Sequence, residues 1–159
     1  MISIFKDYLK TLVLAQTTIP DGKIYLNVKE EGVYKLAPWA SILSQNARIV
    51  PVMKKEPNFQ KEMRIRKYDV FQPIVLAVCG KTEAEADGWM NAILDALAPY
   101  AVLEHSTGLQ HCGINPGMIE YSDTSTIIRG NAVADVELEF QFSVFCAVDD
   151  LEAYIPPVV

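Results

Sequence analysis

From residue 132 to residue 148 the sequence alternates almost without a break. Ala134, Val136, Leu138, Phe140, Phe142, Val144, Cys146 and Val148 fall at one parity, and Asp135, Glu137, Glu139, Gln141 and Ser143 at the other. Successive side chains of a strand point to opposite faces, so a period of two held this long predicts one extended strand with a buried face and a wet face. A helix would scatter the same residues around its circumference.

Residues 63–79 are rich in Ile, Val, Tyr and Phe, and residues 74–79 are apolar at every position, which predicts a central strand covered on both faces. Pro73 cannot donate a ladder hydrogen bond, so a bend, a bulge or an edge is expected there. Two helices accompany these strands. Residues 3–16 space Ile4, Phe5, Tyr8, Leu9, Leu12 and Val13 mostly at three and four, and Ile19-Pro20-Asp21-Gly22 stops them. Thr82-Glu83-Ala84-Glu85 has the form of a capping box, after which Trp89, Met90, Ile93, Leu94 and Leu97 make one stripe that Pro99 ends. Gly88 inside this helix costs about 1 kcal/mol against alanine, so close packing is the expected reason for it.

Shorter segments fill the rest. Strands are expected over 23–28, 47–53 and 100–103, with Glu30-Glu31-Gly32 as a break, and 36–43 is an apolar stretch of undetermined type. Residues 106–117, rich in turn formers, read as a loop or loose hairpin. Ser122-Asp123 reads as a turn between 118–121 and 126–128, and 155–159 as an extended tail. The order predicts an α+β domain: a mostly antiparallel twisted sheet with two helices packed on one face, and one parallel pair made possible by the crossover through the second helix. At 159 residues, 50% hydrophobic and 21% charged, the chain makes one domain, 1–159, that needs no disulfide or metal to build a core.

Reaction chemistry is hard to find. Cys79, Cys112 and Cys146 are odd in number and form no C-x-x-C, which suits reduced thiols, with Cys79 and Cys146 as small buried hydrophobes. Neither a basic leader nor an apolar run of about 18 residues occurs, so neither secretion nor a membrane is expected. His105 and His111 lie near Ser106 and Cys112, but the spacing matches no common zinc set, and adjacency does not make a triad. No glycine-rich phosphate loop is present. Glu137 and Glu139 share a strand face and read as solvated carboxylates rather than as an acid and a base. No catalytic residue, metal ligand or cofactor is therefore expected.

Charge is unevenly placed. The net charge is −6, yet residues 1–80 carry 12 basic and 7 acidic side chains (+5) and residues 81–159 carry 2 and 13 (−11). Lys54, Lys55, Lys61, Arg64, Arg66 and Lys67 put six positive groups within fourteen residues. Glu56 and Glu62 interrupt them and no aromatic stacking platform is interleaved, so a protein surface is expected rather than sequence-specific nucleic-acid binding. A basic patch with an acidic face, Asp135, Glu137 and Glu139, suits a head-to-tail contact between copies, which closes into a ring when the rotation permits.

The first helix, residues 64–78 (beginning Arg64-Ile65-Arg66-Lys67-Tyr68-Asp69-Val70-Phe71-Gln72-Pro73), the helix over 82–97 and the terminal strand through Glu137-Leu138-Glu139-Phe140-Gln141-Phe142-Ser143-Val144 together resemble the tail terminator (tail-completion, minor tail) proteins of tailed bacteriophages. The resemblance lies in element order and texture and spans about two-thirds of the chain. It implies an α/β sandwich and a hexameric ring that caps the tail tube, stops its growth and meets the head–tail connector protein. It also implies a place in the virion after assembly in the host cytoplasm, with the tail tube protein, the connector and further copies of itself as partners. The competing reading is a small α+β enzyme or ligand-binding module with a site in the 105–117 loop.

Overall fold

The computed structural model describes residues 1–27, 36–106, 108–123 and 132–148. Val28, the 30–32 break, the 126–128 segment and the 155–159 tail lie outside the described residues.

Helix α1, Ile2–Gln16, buries Phe5, Leu9 and Val13, one residue per turn on a single face. Thr17 ends it: its hydroxyl donates to the Val13 carbonyl at 2.7 Å and accepts the Ile19 N–H at 3.1 Å, turning the chain toward Pro20. A single 3₁₀ turn leads into β1, Ile24–Tyr25. The undetermined stretch becomes β2, Trp39–Ser44, and the next strand, β3, runs Arg48–Pro57, four residues past its expected end. Strand β4 is Met63–Gly80, and helix α2 is Glu83–Ala96. Thr82 Oγ1 accepts the Glu85 N–H at 3.2 Å as the capping box predicts, but the Glu85 carboxylate reaches back to the Lys81 N–H, 2.7 Å, one residue before the cap. Strands β5, Tyr100–His105, β6, Gly108–Asp123, and β7, Ala132–Ala147, complete the chain.

Strands β4 and β7 pair antiparallel along almost their whole length, from Arg64 opposite Ala147 to Gly80 opposite Ala132. The other edge of β4 is shared end to end: β2 pairs with Ile74–Cys79 and β3 with Met63–Phe71. The change of partner falls at Gln72-Pro73, where the Pro73 carbonyl accepts the Gln45 N–H at 3.0 Å and the Gln72 amide bonds the Gln45 carbonyl at 2.7 Å. Pro73 thus marks a change of neighbour, while the β4 bulge opposite β7 lies at Lys67. The sheet order is β1-β2-β4-β7-β6-β5. Among the described strands the parallel pair is β1 with β2, not the strands that flank α2.

Both helices pack on one face, against Ala134, Val136, Leu138, Phe140 and Phe142 of β7 and Ile74, Leu76 and Val78 of β4. The Phe5 ring stacks on Phe140 at 4.6 Å and meets Phe142 at 5.4 Å. No described helix covers the opposite face, so Pro73 and Val75 remain half-buried there and β4 is central without being sandwiched along its length.

Of the 106–117 segment, residues 108–117 belong to β6, which pairs antiparallel with β5 as a hairpin rather than forming a loop, and Ser122-Asp123 continues the strand rather than turning. Gly88 has nothing within 4 Å of where a Cβ would sit, so close packing does not explain it. Gly88→Ala should raise unfolding free energy by about 1 kcal/mol, whereas Phe140→Ala should lower it by about 3–5 kcal/mol. Urea titrations of the two variants against the parent check both signs.

Candidate functional site

Six of the nine residues read from sequence as an interaction surface lie on one structure, the arm formed by β3 and the first half of β4. Its loop is closed by Asn58, whose side-chain oxygen accepts the N–H groups of Gln60 and Glu62, both at 2.9 Å. Lys61 there adopts φ of 64°. Phe59 projects from the tip, 84% exposed, with its ring 5.5 Å from His111.

The six cations are not equivalent. In a regular strand Arg66 and Asp69 would face opposite ways, but the extra residue Lys67 puts both on the helix-free face, opposite Phe145 and Ser143. Arg66 then holds Asp69 through two bonds of 2.7 and 2.6 Å, and Ser143 Oγ donates to the same carboxylate at 2.7 Å. The Arg64 guanidinium lies over the Phe145 ring at 3.5 Å, with Glu56 at 3.8 Å, and its Nε is buried with no hydrogen-bond partner among the described residues. Both arginines are spent within the chain. Lys54, Lys55 and Lys61 are exposed and in no ion pair among the described residues, while half-buried Lys67 has its Nζ 5.8 Å from the Tyr68 ring.

Asp135, Glu137 and Glu139 alternate along the helix-free face of β7, as expected, and Glu120 of β6 sits opposite Asp135. Glu137 is exposed, the other two half-buried. Burial, with Glu120 adding repulsion, raises the Asp135 pKa. On the helix side of the same region Tyr121 donates a hydrogen bond to Asp87 of α2. These carboxylates form an acidic end of the sheet, and the arm with its lysines forms the basic end.

The histidine–cysteine cluster does not assemble. Alternation in β6 places His111 toward Tyr100, whose hydroxyl is 2.5 Å from His111 Nδ1, and Cys112 on the buried face near the Ala101 carbonyl. Burial pushes both the Cys112 and the Cys79 thiols up, Cys79 to about 11, so neither is a nucleophile at neutral pH. Cys146 is half-buried rather than buried. Ser106 Oγ lies 3.5 Å from His105 Nδ1 in an exposed turn, beyond ordinary hydrogen-bond length. Among the described residues no three His, Cys, Asp or Glu side chains converge on a metal position. No helix of the described residues is long and apolar enough to cross a membrane. A groove of about 320 Å³ does run between the arm and the β5–β6 pair, lined by Phe59, Arg64, Tyr100, His111, Gln141 and Phe145. It brings together an arginine, a Tyr–His pair and exposed rings, a surface suited to contact with another chain. Sequence reading missed it because its residues come from four strands and the β3–β4 loop.

Neither a protein-family model nor a curated protein matches the sequence. In fold the chain is similar to a chain of a solved structure described as the virion of a native gene transfer agent (GTA) particle: TM-score 0.51, 16% identity, covering 86% of this chain and 95% of that one. At that identity the likeness concerns the fold, and it extends over nearly all of both chains.

The Arg66 hydrogen bonds hold the Asp69 carboxyl below the usual carboxylate range, with Ser143 adding to them. Ionised Asp69 therefore stabilises the fold above its unfolded pKa of about 3.9, and that stability is lost as pH falls through the lower folded value. Asp69→Asn should cost about 1–3 kcal/mol at pH 7, a deficit that shrinks below pH 4. Asp135 has the opposite sign: Asp135→Asn should stabilise at pH 7 and not at pH 3, where the carboxyl is already protonated in both states. Denaturant midpoints at the two pH values test both.

Proposed function

We propose that the protein is a structural component of a phage-like virion, with a tail-terminator role: a homo-oligomeric ring, hexameric as the sequence resemblance implies, that closes the tail tube and meets the head–tail connector. The likeness to a chain of the gene transfer agent virion, running nearly end to end in both proteins, carries this reading. Two features of the molecule support it. Its distinctive surfaces are a projecting basic arm and an acidic sheet end, which suit contacts between proteins better than a pocket for a small substrate. The segment that an enzyme reading would use, 105–117, is mostly β-ladder with His111 and Cys112 on opposite faces. In a ring, the Asp135, Glu137 and Glu139 face turned to the channel would repel the phosphates of passing DNA and keep it from sticking.

Purified protein imaged by negative-stain electron microscopy should give rings, and mixing with separately prepared tail tubes should give tubes with a terminal cap. Absence of both rings and tube-end binding would overturn the reading.

A further inference from the structure

Among the described residues, two of the sheet's open edges are of similar length and lie at diagonally opposite corners. Because β5 pairs with β6 only over Gly108–Gly113, β6 has no described strand on its outer side from Asn115 to Asp123. Strand β3 likewise has β4 on one side and no described strand on the other. The corners are opposite in charge on both faces of the sheet. On the helix-free face β3 presents Lys54, in register with Arg66, whereas the free half of β6 presents Glu120 beside Asp135, with exposed Glu137 next along β7. On the helix face β3 presents Lys55, and the β6 corner presents Tyr121 with Asp87. Large apolar side chains are exposed at each: Ile49 and Met53 on β3, Met118 and Tyr121 on β6.

We infer that copies of this chain associate head to tail, the outer edge of β3 in one copy lying along the free half of β6 in the next. This rests on the ring reading above and names its surfaces. Placing the sheets side by side with helix face next to helix face brings Lys54 alongside Glu120 and Lys55 alongside Asp87. The two-fold alternatives set lysine against lysine, or carboxylate against carboxylate, which like-charge repulsion across neighbouring strands disfavours. Pro51 and Pro57 on β3 and Pro116 on β6 lack ladder donors, so main-chain bonds between copies are few. Edges guarded in this way resist indiscriminate strand pairing and leave matching charge and apolar contact to select the partner. Since the edges lie at opposite ends of the β4–β7 pair, each copy steps along the strands as well as sideways, a stagger that a closed ring accommodates by tilting its strands.

Light scattering on the full-length protein, with circular dichroism to verify folding, tests the assignment. The parent should show an oligomer mass at low salt that falls as salt screens the contact. Lys54→Glu with Lys55→Glu should reduce the mass to that of a monomer, as should Glu120→Lys with Glu137→Lys. Mixing the two variants, or combining all four changes in one chain, should restore the oligomer, since each altered edge then meets its opposite charge. An oligomeric parent whose variants keep the full mass would overturn the edge assignment and leave the ring reading standing. A mixture that stays monomeric would also overturn it, and a parent that is monomeric at every salt concentration would overturn both.

Discussion

The pairing of β4 with β7 sets the scale on which the rest of the molecule is built. Sixteen strand residues span about 53 Å, whereas fifteen helical residues span only about 22 Å. Helices α1 and α2, at 15 and 14 residues, therefore cover less than half the length of the strand pair they pack on. Their apolar stripes bury the stretch around Phe140, Leu138, Leu76 and Val78, and the remainder overhangs. The overhang is the arm, and its interactions are those of a sheet with little beneath it: Arg64 over Phe145, Arg48 over Phe71, and the Arg66–Asp69–Ser143 group.

The bulge at Lys67 shows how one residue redirects such a surface. Without it Arg66 and Asp69 would lie on opposite faces, leaving a bare arginine on one and a lone carboxylate on the other. With it, two cations of the densest basic run are neutralised inside the chain, and the outward charge falls chiefly to lysines. The resulting arm is basic at its rim and internally braced near its base. At the far corner burial, with repulsion from Glu120 added, disfavours ionisation of Asp135. That is the electrostatic situation in which an approaching positive charge is most welcome.

Legibility followed the range of the interactions involved. The alternation in β7, the stripes of α1 and α2 and the Thr82 cap were readable because each depends on residues within a few positions of one another. The 106–117 segment reads as a loop or loose hairpin, and the hairpin is there, but most of the segment is strand β6. Gly108, Gly113, Pro116 and Gly117 look like turn formers, yet Gly108–Gly113 pair with β5 and Gly113–Asp123 with β7, and at Gly117 a Cβ would come within 3.3 Å of the Glu137 carbonyl. Its glycine serves a close approach of strands at a register shift, not a reversal. Gly88 misled in the other direction, since packing was expected where there is open space. The run of charge along the chain is plain in the sequence, but which of its residues still face outward is not: nothing near Arg64 in sequence announces Phe145.

By itself, then, the sequence determined the class of the fold, the positions of both helices and the two longest strands, and the separation of positive from negative charge between its halves. Those properties follow from local periodicity, caps and composition. Only the tertiary structure decided which strand lies beside which, that β2 and β3 share one edge of β4, that β5 leaves half of β6 uncovered, and which basic residues still face outward. Each of those depends on register between residues far apart in the chain, and a one-residue shift in register exchanges the faces of a strand.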